Sequence, residues 1–252
     1  MVREEDAAFY SKLDSERIRQ IYDSPFYRQD TASILSQFGV VLHLIPKPPA
    51  KIIDLGCGFG WTSCFLSRMG YDVLGQDISP EAVTYSYRNK KRYEAESVEF
   101  VQSNYQSLEY ESLFDCALFF SSLHHAENED LALRSVYRVL KPGGIVICSE
   151  PGSGHEKRQD TIGEVERYGV TEKDMPPSRI IGAALRAGFR RYEIYADAEV
   201  IRPEPIVGVR HLFSVAVLKS IVRRALAKGP KWIGTYSRVY DLANRGIVRL
   251  WK

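Results

Sequence analysis

The sequence has few cysteines, no long apolar run and almost no net charge, and each shortage removes a class of protein. Only four cysteines occur in 252 residues, at Cys57, Cys64, Cys116 and Cys148. None falls in a CxxC pair, so a zinc site built on paired cysteines is excluded. Three of the four lie in or beside predicted strands. They read as reduced, buried small side chains of a cytoplasmic protein. No uninterrupted apolar stretch is long enough to span a bilayer. The opening Met1-Val2-Arg3-Glu4-Glu5-Asp6 is charged and no apolar h-region follows, which argues against a secretory signal. Internal repeats and low-complexity segments are absent. The formal net charge is only +2, so the bulk balance selects no partner.

Apolar residues make up 44% of the chain, enough for one large α/β domain with an elaboration. The charge is unevenly placed. From Arg202 to Lys252 there are eleven Lys and Arg against two acids, a local +9 that leaves −7 for the remainder. Such asymmetry marks a surface suited to an anionic partner.

The apolar spacing predicts a helix over residues 5–22 and a second over 31–44, ended by Pro46, Pro48 and Pro49. From Lys51 onward short apolar strands alternate with amphipathic segments. Strands are predicted at 51–55, 72–76, 98–102, 114–120, 145–149, 191–195 and 246–251. Between them Ser79-Pro80 opens one helix, Asn128 caps another, and a third ends at Gly188. Residues 207–228 read as a basic amphipathic helix, with a strand at 213–218 as the alternative. Strand–helix alternation of this kind predicts a Rossmann-like, doubly wound, mostly parallel seven-stranded sheet with helices on both faces. Three units follow: an N-terminal helical lid (1–46), a core (47–200), and a basic helical insertion with the last strand (201–252).

In a doubly wound sheet, ligands sit beyond the carboxyl ends of the strands. The first strand ends in Asp54-Leu55-Gly56-Cys57-Gly58-Phe59-Gly60. A dinucleotide fingerprint needs G-x-G-x-x-G. Counted from Gly56 the third glycine falls on Trp61, and counted from Gly58 it falls on Ser63, so the nicotinamide reading fails in both registers. An acid at the head of the loop repels a pyrophosphate but suits an ammonium group.

These residues resemble the class I S-adenosylmethionine-dependent methyltransferases. Five ordered segments carry the resemblance: Asp54–Gly60; Asp77, which lies 21 residues beyond Gly56; Ser103-Asn104-Tyr105; Phe114-Asp115 leading to Ser121-Ser122-Leu123-His124-His125; and Leu140-Lys141-Pro142-Gly143-Gly144. The resemblance implies S-adenosylmethionine as cofactor, with S-adenosylhomocysteine as product. It implies that Asp54, Gly56, Cys57, Gly58 and Gly60 cradle the methionine half. Asp77, with Ile78 beside it, would hold the ribose hydroxyls. Asn104 and Tyr105 would meet the adenine, where the family often has an acid, and Ser121 would line the site. No metal is implied.

Methyl transfer to a hydroxyl also needs the proton removed, and imidazole suits that near neutral pH. His125 is the first candidate base and His124 the second; the alternative is that one packs and the other lines the pocket. Glu150, after the fifth strand, reads as an acceptor ligand or base, or as a cap. Tyr22, Tyr27 and Arg28 read as lid residues over the cofactor, or as core packing with Phe26. His43, His155 and His211 show no metal-ligand spacing. The basic tail reads as a lid for an anionic acceptor such as a nucleotide- or lipid-linked sugar, as a peripheral membrane contact, or as a solvated face. The −7 remainder argues against nucleic acid. The expected function is methyl transfer to a small molecule or glycan, at oxygen. The alternatives are an N- or lipid-directed methyltransferase, or an inactive cofactor-binding scaffold.

Overall fold

The computed structural model describes residues 4–27, 31–195 and 246–252. Seven strands form one sheet: β1 (Lys51–Leu55), β2 (Asp72–Asp77), β3 (Val98–Gln102), β4 (Phe114–Phe120), β5 (Leu140–Ser149), β6 (Arg191–Tyr195) and β7 (Ile247–Trp251). Their order is β3-β2-β1-β4-β5-β7-β6. The neighbours from β3 through β5 pair in parallel, whereas β7 runs antiparallel to both β5 and β6. The order reverses between β1 and β4. The crevice for a ligand therefore opens beyond Leu55 and Phe120, at the topological switch point.

Parallel strands covered on both faces must be apolar on both. Ile53, Leu55, Ala117 and Phe119 project into one cluster with Leu133, Val136, Ile180 and Ala183. These last four lie on α6 (Glu129–Val139) and α8 (Pro177–Ala187). Ile52, Cys116 and Leu118 project into the other, with Phe38, Val41, Cys64 and Leu66. Those belong to α3 (Thr31–Leu44) and α4 (Trp61–Arg68). All four cysteines are buried and unpaired. Helix α5 (Pro80–Arg92) starts as its sequence predicts, with Ser79 Oγ accepting from Ala82 N–H and Pro80 at the first position.

The N-terminal region departs from the expected continuous helix. It breaks into α1 (Glu4–Ala7), a 3-10 turn at Tyr10–Lys12 and α2 (Ser15–Tyr22). The apolar spacing continues across the break, but Asp14 accepts from Arg17 N–H at 2.8 Å and restarts the helix. Strand β5 begins earlier than expected. Leu140 pairs with Phe114, then a register shift passes over Pro142-Gly143-Gly144 before Ile145 meets Cys116. Helix α7 (Gln159–Tyr168) was not anticipated. Arg28 of the expected lid, residues 201–245 of the basic insertion, and the choice between helix and strand at 207–228 lie outside the described residues. Among the described residues no helix is long and apolar enough to cross a membrane.

Gly75 in β2 shows how tightly the sheet is covered. A Cβ there would lie 2.4 Å from the Phe100 ring, and Phe100 is buried. Gly75→Ala should therefore destabilise the protein by about 2 kcal/mol in urea unfolding. A loss under about 0.5 kcal/mol would show that Phe100 moves aside freely.

Candidate active site

Three glycines shape the loop after β1. Gly56, Gly58 and Gly60 have φ of 66°, 55° and 75°, a region that disfavours side chains. At Gly56 a Cβ would also fall 2.7 Å from Ser122 Cβ. Gly56 is thus the point where the β1 loop and the β4 turn touch. Gln76, a buried residue of β2, braces the same loop: its Oε1 accepts from Gly56 N–H at 3.3 Å and its amide donates to Ser103 O.

Two carboxylates lie under the loop. Asp54 is buried and accepts from the hydroxyls of Thr62 at 2.5 Å and Ser63 at 2.6 Å. It thereby ties the strand end to the start of α4. Asp77 Oδ2 accepts from Gly58 N–H at 2.8 Å and its Oδ1 from Ser79 N–H at 3.0 Å. Burial pushes the Asp77 carboxyl up to about 6, against the pull of those backbone donors. Cys57 is buried in the same loop, its N–H donating to Gln76 O at 2.9 Å.

Further along the edge, Ile78 accepts through its carbonyl from Gln102 Nε2 at 3.2 Å. Asn104 Oδ1 accepts from Gln106 N–H at 2.9 Å and so caps a short 3-10 turn. Tyr105 donates its hydroxyl to Ser122 O at 3.2 Å. Ser103 Oγ is buried with no hydrogen-bond partner among the described residues, an orphan polar group at the end of β3.

The β4 turn carries the titratable groups. Ser121 holds φ 56° and donates N–H to Ser149 O at 2.8 Å. Ser122 Oγ donates to Leu55 O at 2.6 Å. Glu150, only 3% exposed, accepts from the backbone N–H of Ser122, Leu123 and His124 at 3.2, 2.9 and 3.3 Å. Its Oε2 also takes His124 Nδ1 at 2.7 Å. All four donors point into one buried carboxylate, so Glu150 holds the turn rather than meeting an acceptor. Its reading as a base gives way to its reading as a cap.

His124 is 3% exposed. Burial lowers its pKa, the His125 charge adds to that, and the Glu150 bond only partly offsets it. It is therefore neutral, with Nδ1–H donated to Glu150. His125 differs, since its side chain is 41% exposed. Its Nδ1 lies 2.8 Å from Thr171 O. A carbonyl can only accept, so Nδ1 carries a proton, and in the neutral ring the lone pair then lies on Nε2.

A residue with no recognisable signal in the sequence completes the cluster. The Glu172 side chain is 5% exposed and takes His155 Nε2 at 2.7 Å. It faces His124 Nε2 at 3.5 Å and His125 Nδ1 at 3.6 Å. Burial alone would raise its carboxyl, but the His155 hydrogen bond and the neighbouring imidazoles hold it below the usual range. His155, isolated by sequence spacing, is thus part of the site. Ligand-type atoms of His124, His125 and Glu172 lie within 4.8 Å of one another. The proton on His125 Nδ1 occupies the ring nitrogen nearest Glu172.

The sequence and the fold resemble those of known proteins. Residues 53–148 match the family model described as a methyltransferase domain. The chain is 28% identical over 203 residues to the ubiquinone/menaquinone biosynthesis C-methyltransferase UbiE of Pectobacterium atrosepticum, covering 74% of this chain and 77% of that protein. It is 26% identical to phosphoethanolamine N-methyltransferase 1 of Zea mays, over 70% of this chain and 39% of that one. Phosphoethanolamine N-methyltransferase 2 of Haemonchus contortus, solved with S-adenosylmethionine, superposes with a TM-score of 0.62 at 19% identity, over all of this chain and 60% of that one.

The chain is a class I S-adenosylmethionine-dependent methyltransferase.

The fold by itself would not decide this, because the [4+2]-cyclase SpnF shares it with a TM-score of 0.56 at 21% identity, over 88% of this chain and 80% of that one. The methyltransferase uses S-adenosylmethionine, and the residues present fit it. The glycine loop leaves backbone where side chains would intrude, a buried carboxylate stands at the end of β2, and Ser103 offers an unsatisfied hydroxyl.

The expected lid residues are distributed differently. Tyr22 meets Tyr85 edge-on at 5.8 Å with Arg92 at 5.1 Å over its face. Tyr27 is 48% exposed. The aromatic that does reach the glycine loop is Tyr10, unremarked in the sequence. Its ring lies 4.9 Å from Phe59, which in turn stacks on Tyr85 at 4.4 Å. Its hydroxyl lies 3.1 Å from where a Gly58 Cβ would be. Burial, with the Asp77 charge adding to it, raises the Tyr10 phenol well above its usual value and keeps it protonated.

Removing Glu150 would strand three backbone donors and an imidazole N–H. Glu150→Ala should destabilise the methyltransferase by about 3 kcal/mol in urea. A change below about 1 kcal/mol would mean the turn holds without its carboxylate.

Proposed function

We propose that this methyltransferase places the methyl on a hydroxyl of a small molecule or glycan, with His125 as the base. The observation that carries the reading is the half-exposed imidazole of His125, whose Nδ1–H is committed to Thr171 O. In the neutral ring that bond makes Nε2 the proton acceptor, at the carboxyl edge of β4. His124 and Glu172 pack against it and exclude water from its buried side. A nitrogen acceptor that arrives uncharged needs no such base, which is why oxygen is preferred here although the relatives' names include carbon- and nitrogen-directed enzymes.

When bound, S-adenosylmethionine supplies a methyl activated on a sulfonium. Gly56, Cys57, Gly58 and Gly60 would accept its methionine half against bare backbone, with Asp54 bracing the loop from below. Asp77 has lone pairs left beyond its two backbone donors for ribose hydroxyls. Ile78, Asn104, Tyr105 and Ser121 line the same edge toward the base and the methyl. Alignment of acceptor oxygen, methyl and sulfur does most of the work; His125 receives the acceptor's proton at Nε2. The N-terminal segment, with Tyr10 on the loop, acts as the lid.

The acceptor is taken to be anionic, such as a nucleotide- or lipid-linked sugar. Two facts support this: the +9 excess from Arg202 to Lys252, and the position of Tyr195 and Ile247, paired at the edge where β5 ends in Ser149. The sequence between them therefore leaves and rejoins the sheet at the carboxyl end of β5, the edge that carries the histidine turn.

Label from methyl-labelled cofactor should enter an acidic, hydroxyl-bearing fraction of cell extract. His125→Ala should lower that transfer about 100-fold while calorimetric affinity for S-adenosylhomocysteine stays unchanged. Full turnover in the variant would remove the base. Asp77 gives a second expectation. Below its value of about 6 the carboxyl is protonated and loses acceptor capacity. Affinity for S-adenosylhomocysteine should therefore be full above pH 6 and fall as pH drops through it. Asp77→Asn should be weak and flat across that range. A wild-type profile without an inflection would unseat the ribose assignment.

A further inference from the structure

The stretch that presents Thr171 and Glu172 to the histidines lies between α7 and α8 and belongs to neither. Its position depends on side-chain anchors. On the side facing the core, Met175 N–H donates to Gly152 O at 3.0 Å and Lys173 pairs with Glu129 at 2.8 Å. On the other side the anchor is Asp6, from the far end of the sequence. Its Oδ1 accepts from Thr171 N–H at 2.8 Å and its Oδ2 from Thr171 Oγ1 at 3.1 Å. These two bonds hold Thr171 by its N–H and its side chain, on one side of its Cα, and so restrict where the carbonyl on the other side points. The carbonyl points at His125 Nδ1, 2.8 Å away.

We propose that Asp6 is a positioning residue for His125. Through Thr171 it holds the imidazole in the Nδ1–H form, with Nε2 facing the acceptor. The chain of contacts is Asp6 carboxylate, Thr171 N–H and hydroxyl, Thr171 carbonyl, His125 Nδ1–H. This is the role a buried carboxylate plays when it orients a catalytic imidazole directly, except that one residue, Thr171, stands between them. The free imidazole ring has no reason to choose Nδ1–H; a fixed carbonyl gives it one.

The same segment is anchored to α7 by contacts that do not involve Asp6. Lys12 Nζ donates to Tyr168 O at 3.0 Å, Arg17 pairs with Glu164 at 2.7 Å, and Phe9 meets Tyr168 edge-on at 5.4 Å. These contacts keep Tyr10 on the glycine loop without Asp6. The two functions of the segment are therefore separable by mutation.

The inference rests on His125 being the base, and the test separates the two. Full-length protein labelled with 15N at histidine, saturated with S-adenosylhomocysteine, reports each ring nitrogen's protonation in long-range 1H–15N spectra. Wild type should show His125 in the Nδ1–H form. Asp6→Ala should move it toward the Nε2–H form, lower labelled-methyl transfer into cell extract about tenfold, and change calorimetric S-adenosylhomocysteine affinity less than about threefold. Asp6→Asn should keep the wild-type tautomer, because its amide oxygen still accepts from Thr171 N–H and its NH2 can donate to the hydroxyl. An unchanged tautomer in Asp6→Ala overturns the Asp6 assignment and leaves the base intact. A wild-type His125 already in the Nε2–H form overturns both.

Discussion

Four donors meet the Glu150 carboxylate, and the site is assembled around that meeting. Three are consecutive backbone N–H groups of the turn after β4 and the fourth is the His124 ring. In water each would find a partner at no cost; inside the protein only the carboxylate keeps them satisfied. The turn is thereby held with Ser121 at positive φ and Ser122 pressed between Leu55 O and Gly56. The cofactor loop and the histidine turn thus share a wall one side chain thick. His124 stays neutral because it is buried, and a neutral ring donating to Glu150 turns its other nitrogen toward Glu172. The position of His125 follows from its neighbour's.

Much of this was legible in the sequence where one local signal was strong. The strands of the parallel sheet are apolar on both faces, so they read as short continuous runs, and β1, β3 and β4 begin and end where those runs do. The helix starts at Ser79 and Asn128 carry their own caps. The glycine loop is legible because its spacing rules out one ligand class and its leading acid favours another. The less legible parts are those where two signals compete. At Leu13-Asp14 apolar periodicity continues while a cap interrupts, and the cap prevails. At Pro142-Gly143-Gly144 the turn residues suggest a break, yet the strand passes through as an irregularity in register. Helix α7 buries only Thr161, so its apolar stripe is too thin to stand out.

The site residues that escaped notice share another property. Tyr10, His155 and Glu172 approach from segments outside the five motifs, and no nearby residue type marks them. Glu172 sits in Thr171-Glu172-Lys173-Asp174, which reads as a solvated charged loop. Only folding shows that one of its acids turns inward to three imidazoles. Asp54 shows the reverse case. Its position was legible, but its two hydroxyl partners give the carboxylate a bracing task in addition to any ligand contact.

The antiparallel insertion of β7 between β5 and β6 has a further consequence. Tyr195 and Ile247 are register partners, so the sequence between them starts and ends on a shared ladder of hydrogen bonds. Closing a longer loop on such a ladder is inexpensive, with each doubling of length adding only about 0.6 kcal/mol. The last strand, meanwhile, is locked into the sheet interior on both sides. Evolution can therefore lengthen, shorten or recharge the sequence between them while the sheet, the glycine loop and the histidine turn keep their places. A stretch of sequence can thus change next to chemistry that stays fixed.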